Sequence, residues 1–240
     1  MTKPSDHNPK LPLMHPDTLL LFDIDGTLLL TGGAGERALR QCIPEVLGIE
    51  DDMHGIEIAG RTDTGIARQV FSKHGVPLEE SKLLRFHEAY LRNLFTNLET
   101  SGGCILPGMA EILERCSREP RITLGLLTGN LQRGAEAKLT RFGIAHHFAF
   151  GAFADDHHDR NALGTFALQR AHDHTGVHFS PHRVFVIGDT AHDITCARAI
   201  GAQAVAVATG KFTVEDLAPH RADHLFPDCS DVDAVMRVWC

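Results

Sequence analysis

Short apolar runs that end at Gly, Asp or Thr alternate along this chain with stretches whose apolar residues recur every three or four positions. The runs TLLLFD (18–23), ITLGLLT (122–128), HFAFG (147–151), RVFVIG (183–188) and QAVAVAT (203–209) read as strands. They are apolar at consecutive positions rather than every second one, as strands covered on both faces are. Between them, LQRGAEAKLTRF puts Leu131, Ala135, Leu139 and Phe142 on one helical face with Gly143 as a stop, and TAHDITCARAIG reads as a helix ended by Gly201. The alternation predicts an α/β fold, a doubly wound and mostly parallel sheet with helices on both faces.

From residue 31 to 104 no such strand pattern appears. Residues 81–98 place Leu84, Leu91, Leu94, Phe95 and Leu98 on one face, and TDTGIARQVFSKHG (62–75) has a Thr/Asp start and a Gly end. A helical stretch of about 75 residues exceeds a normal crossover connection. The pattern therefore predicts an all-helical domain over 31–104, inserted into a core of 17–30 and 105–240. SGGCILPGM (101–109) would be the return hinge, and residues 1–16, polar and Pro-rich, a flexible tail.

Composition narrows the function classes. The chain has 240 residues, 43% hydrophobic and 22% charged, as ordinary globular proteins have. No apolar run approaches the ~20 residues of a membrane span, and the N-terminus carries no hydrophobic signal region. The expectation is a cytoplasmic protein. A formal net charge of −8 argues against nucleic-acid or membrane partners. The six cysteines show no CxxC spacing and read as free thiols rather than zinc ligands. The 16 histidines have no ligand-like spacing and read as a solvated polar face.

Candidate chemistry concentrates in DIDGTLLLTGGAG (23–35). Gly33-Ala34-Gly35-Glu36-Arg37-Ala38 matches a dinucleotide-binding pattern, but Pro44 and Gly48 break the segment where that pattern needs a second strand. A hinge is the better reading of these glycines. Asp-Gly between apolar runs is also a hairpin signal, yet neither flanking run alternates. Strand side chains repeat every two residues, so Asp23 and Asp25 project to one side of a strand end. IGDTAHD (187–193) ends a second strand in an acid, with Asp193 one helical turn behind Asp189. Alone, Asp189 would read equally as a helix N-cap. In a parallel sheet all strand C-termini share one edge, where ligands bind. Carboxylates crowded there repel unless a cation neutralises them, and oxygen-only ligands suit Mg²⁺.

FDIDGTL (22–28) and IGDTAHD (187–193) resemble the first and fourth motifs of the haloacid dehalogenase-like hydrolases, in particular the phosphoglycolate-phosphatase-like members with a helical cap. LLTGN (126–130) is similar to the second motif and LPGM (106–109) to the return from cap to core; the likeness covers about 18 to 226. The third motif's lysine is missing, and Arg160 is the nearest replacement. Arginine keeps the charge and can grip phosphate bidentately.

The resemblance implies a Rossmann-like core with an inserted cap, and an Mg²⁺-dependent phosphatase acting on a small phosphate monoester such as a phosphoglycolate-like phosphometabolite. Asp23 would be the nucleophile that forms an aspartyl-phosphate, and Asp25 the acid and base. The metal would be held by Asp23, the Asp25 backbone carbonyl and Asp189, with Asp193 behind it. Thr128, Gly129 and Arg160 would bind phosphate, Thr27 would hold Asp25, and Arg61 and Asn130 would meet the substrate. Dehalogenating relatives lack the second acid. Alternatives are a sugar-phosphate mutase with the same nucleophile and a non-catalytic phospho-acceptor module. A monomer or a homodimer is compatible with the sequence.

Overall fold

The computed structural model describes residues 17–239, so the expected tail, residues 1–16, lies outside the described residues. The chain runs β1 (Thr18–Phe22), β2 (Leu29–Leu30), α1 (Ala34–Leu47), α2 (Asp63–Lys73), α3 (Glu80–Thr100), β3 (Cys104–Ile105), α4 (Met109–Ser117), β4 (Ile122–Leu127) and α5 (Gln132–Arg141). It continues through β5 (Gly151–Ala152), α6 (Arg160–Thr175), β6 (Val184–Gly188), α7 (Ala191–Ala199), β7 (Gln203–Val207), α8 (Val214–Leu217), β8 (His224–Phe226) and α9 (Val232–Met236).

Six strands form one sheet in the order β5-β4-β1-β6-β7-β8, and every neighbouring pair is parallel. From β1 the chain moves outward through β4 and β5, then returns to β6 on the other side. This Rossmann-like order opens a crevice between the C-terminal ends of β1 and β6, the usual ligand position in such sheets. The continuous apolar run of β1 has its reason here. Leu19 and Leu21 pack toward α6 and α7, while Leu20 and Phe22 pack toward α4, α5 and α9. Each fully buried side chain of this size stabilises the fold by roughly 1.5–3 kcal/mol.

Helices α1, α2 and α3 bury a second cluster, including Leu39, Ile43, Val70, Phe71, Phe86 and Leu94, which Leu131 and Ala154 of the core join. The chain leaves and re-enters the core through β2 and β3, an antiparallel pair with Leu29 opposite Ile105 and Leu30 opposite Cys104. Among the described residues, no helix is long and apolar enough to cross a membrane. Among the described residues, Cys42, Cys104, Cys196 and Cys229 are not joined in disulfides.

Four local expectations need correction. The strand over 147–151 is replaced by a 3₁₀ turn at Ala145–His147 and the two-residue β5. Phe148 there sets its ring edge-on to Phe22, 6.2 Å between centroids, so it fills the core rather than extending the sheet. Pro44 does not break its segment, because α1 runs through it to a left-handed Gly48 (φ 68°). The hinge glycines are correspondingly fewer: Gly33 caps α1, and Gly35 already lies inside it. Leu84 is 58% exposed, since the buried stripe of α3 follows Phe86, Tyr90, Leu94 and Leu98 instead. The strand β8 carries no signal that the sequence reading used.

Candidate active site

Strands β1 and β6 are neighbours in register, with Phe22 opposite Ile187. Asp23 and Asp189 therefore leave the sheet side by side, and the Asp23 N–H donates to the Ile187 carbonyl at 2.9 Å. The chain then turns at Gly26 (φ +81°), where a Cβ would collide with the Asp189 carboxylate. Only glycine satisfies both demands. The N-cap of α7 is Thr190 rather than Asp189. Asp193 closes a capping box on it, accepting from the Thr190 N–H at 3.0 Å and hydroxyl at 2.7 Å. Asp189 is thereby freed for the cleft. Thr128 follows β4, and Arg160 is the first residue of α6, whose N-cap is Asp159.

Asp23, Asp189 and Asp193 are all buried, and one oxygen from each lies within 4.8 Å of the others. This is the metal-compatible group of acidic, His or Cys side chains found among the described residues. Arg160, 6% exposed, is the cation at their centre, 3.2 Å from Asp23 Oδ1 and hydrogen-bonded to Asp193 Oδ1. Burial, opposed by Arg160 and aided by Asp193 and Asp25, pushes the Asp23 carboxyl up to about 6. Burial and the charges of Asp193 and Asp23 push Asp189 up to about 8. Burial disfavours the Arg160 charge, but Asp193 and Asp23 outweigh it and hold the guanidinium firmly protonated. Three buried carboxylates facing one cation leave an excess of negative charge. Their hard oxygen donors fit a divalent ion such as Mg²⁺.

Thr27 does not hold Asp25. Its hydroxyl donates to Asp189 Oδ1 at 3.4 Å, because the turn at Gly26 swings residue 27 toward β6. Asp25 is held from another direction. Its Oδ2 accepts from Asn130 Nδ2 at 2.8 Å and from Lys138 Nζ at 2.6 Å. Asn130 Nδ2 also donates to Thr128 Oγ1 at 2.9 Å, and its Oδ1 accepts from Lys138 at 2.5 Å. Lys138 was not singled out from the sequence. A signal existed, since it lies seven residues after Leu131 and three after Ala135, on the inward face of α5.

A cavity of about 390 Å³ opens over these groups and is lined by Asp23, Asp25, Asp189, Arg160 and Lys138. Leu39, Ile66 and Tyr90 of the helical insertion supply its far wall. The insertion touches the core beside the cavity. The Asp63 N–H donates to the Gly129 carbonyl at 2.7 Å, and Asp63 Oδ2 accepts from the Leu131 N–H at 2.8 Å. A Cβ at Gly129 would strike the Arg61 carbonyl. Arg61 lines the cavity, but its guanidinium is paired with Glu57, Nε to Oε2 at 2.8 Å.

Comparison with known proteins agrees with this geometry. The chain is 26% identical over 223 residues to a phosphoglycolate phosphatase of Synechococcus elongatus, covering 89% of this chain and 94% of that one. Two solved structures share the fold at TM-score 0.72. One is CbbY from Rhodobacter sphaeroides in complex with phosphate, 20% identical, with 90% of this chain and 96% of that chain covered. The other is a hydrolase from Pseudomonas syringae, also 20% identical, covering 92% and 98%. The sequence profile of the haloacid dehalogenase-like hydrolases matches residues 20–207, most of the chain. The two acidic strand ends and the parallel sheet that brings them together are thus those of a family member: the chain belongs to the haloacid dehalogenase-like hydrolases.

Proposed function

We propose that this hydrolase is an Mg²⁺-dependent phosphatase of a small phosphate monoester, working through an aspartyl-phosphate on Asp23. The observation that carries the reading is the pair of acids Asp23 and Asp25 lining one cavity with Arg160 and Asp189. A carboxylate attacks a phosphate dianion only where negative charge is cancelled. Asp23, Asp189 and the Asp25 backbone carbonyl would hold Mg²⁺, which supplies that cancellation when bound. Asp193 fixes Arg160 from behind. The Arg160 guanidinium lines the cavity beside Asp23, a position that suits a phosphate oxygen. Thr128 and Gly129 stand at the adjacent strand end for the remaining oxygens.

In the first half reaction a carboxylate oxygen of Asp23 bonds to phosphorus as the ester P–O bond breaks, and Asp25 gives its proton to the leaving oxygen. In the second half Asp25 takes a proton from water as the water oxygen bonds to phosphorus, and the Asp23–phosphorus bond breaks. Phosphate and the free carboxylate result.

Residues 31–104 would act as a cap that chooses the substrate and shields the reacting groups from water. The cavity volume suits a small metabolite, and the Synechococcus relative makes phosphoglycolate the first ester to try. Phosphate release from a panel of monoesters, with Mg²⁺ and with chelator, tests the reading. Asp23→Asn should abolish turnover while its melting temperature stays near wild type. Hydrolysis by that variant at near-normal rate, or wild-type turnover unaffected by chelator, would reject it.

A further inference from the structure

Lys138 is 3% exposed, against 43% for the Asp25 side chain with which it pairs. A buried ammonium costs several kcal/mol unless its hydrogen bonds are met. Here two of its donors are taken by Asp25 Oδ2 and Asn130 Oδ1. The Asn130 amide reaches the same Asp25 oxygen, so Oδ2 is fixed by two donors at once. No hydrogen bond from the described residues reaches Asp25 Oδ1, which leaves that oxygen to the cavity. The clamp comes from α5 and the loop after β4, both in the core.

We propose that Lys138 is a positioning residue for proton transfer: with Asn130 it holds Oδ2 of Asp25 so that Oδ1 faces the oxygen that leaves phosphorus. The inference rests on the phosphatase reading above. When the ester P–O bond breaks, the proton on Oδ1 passes to the departing oxygen, and the carboxylate left behind stays held by the Lys138 ammonium. The same oxygen then collects the proton of the attacking water. A carboxylate free to rotate would miss both transfers, and general acid–base catalysis contributes about 10²- to 10⁴-fold.

The test is Lys138→Met, compared with wild type on 2-phosphoglycolate and on p-nitrophenyl phosphate by stopped flow. The alkyl alcohol needs the proton to leave, whereas the acidic phenol leaves without it. Turnover of 2-phosphoglycolate should fall about a hundredfold with KM nearly unchanged. With p-nitrophenyl phosphate the variant should give a burst of phenol at the wild-type rate, then slow turnover as aspartyl-phosphate accumulates. If Lys138→Met does not fold, Lys138→Gln carries the same comparison. A burst slowed as much as turnover would mean a merely structural role and overturn the inference. So would a raised KM for 2-phosphoglycolate at unchanged kcat, the mark of a residue that binds the substrate's carboxylate. A wild type inert toward both esters would overturn the proposed function as well; an active wild type with an unaffected variant would overturn this inference alone.

Discussion

The balance of charge under the cavity can be tested by removing its cation. In Arg160→Met the acids Asp23, Asp189 and Asp193 stay buried within 4.8 Å of one another. If all three are ionised, the cluster's formal charge goes from −2 to −3. Removing one partner of a buried ion pair costs about 3–5 kcal/mol. The raised carboxyls of Asp23, about 6, and Asp189, about 8, let protonation relieve part of this at neutral pH. The expected loss is therefore near the lower end, about 3 kcal/mol. For a chain of this size that lowers the melting temperature by roughly 6–12 °C.

The assay is thermal unfolding followed by circular dichroism, in chelator, at pH 5 and pH 8. A carboxyl whose folded value is raised favours folding below its ordinary range and loses that advantage as pH climbs through the raised value. The variant should consequently sit closer to wild type at pH 5 than at pH 8. Added Mg²⁺ should recover part of the loss, because saturation at 100 times Kd contributes about 2.7 kcal/mol. A variant melting within 2 °C of wild type (roughly half a kcal/mol on the same scale) in chelator at pH 8 would refute the ledger. So would a larger penalty at pH 5 than at pH 8.

Other outcomes follow from single contacts. Burial holds the Asp63 carboxyl up at about 6 from 3.8, so its share of stability is present below pH 4 and lost as pH rises through 6. Asp63→Asn keeps an acceptor for the Leu131 N–H and should gain on wild type by roughly 3 kcal/mol between pH 4 and pH 7; a constant difference across melts in that range would contradict this. Gly129→Ala puts a Cβ against the Arg61 carbonyl and should push residues 61–64 off the core loop. The expected result is about a hundredfold lower kcat/KM, and unchanged steady-state kinetics would argue against the contact. Leu94→Ala empties a fully buried site between α3 and its neighbours, which should cost about 2–5 kcal/mol in urea unfolding; a loss under 1 kcal/mol would show that the site collapses freely.

The strands legible in the sequence were those built on runs of consecutive apolar residues, β1, β4, β6 and β7, because burial on both faces leaves no polar side to confuse the pattern. At the sheet edges that logic fails. β5 and β8 are two and three residues long, and Phe148 looks like strand but serves as core. Leu84 lies on the helical stripe of α3 only if the helix faces one way, and its packing against α1 chose another. The acid pair at 23 and 25 was readable from period-two geometry, and Asp189 from its place at a second strand end.

Sequence alone determined which segments were buried on both sides, that a helical stretch interrupts them, and that acids stand at two strand ends. These are local properties, written in the spacing of residues within a few turns. Tertiary structure decided that β1 and β6 are neighbours, which sets Asp23 beside Asp189, and that Arg160 comes to rest among Asp23 and Asp193. It also decided that Thr27 bonds Asp189 while Lys138 and Asn130 take Asp25. Partners 105 and 113 residues away along the chain are chosen by how helices pack on a twisted sheet, and no periodicity within one segment records that choice.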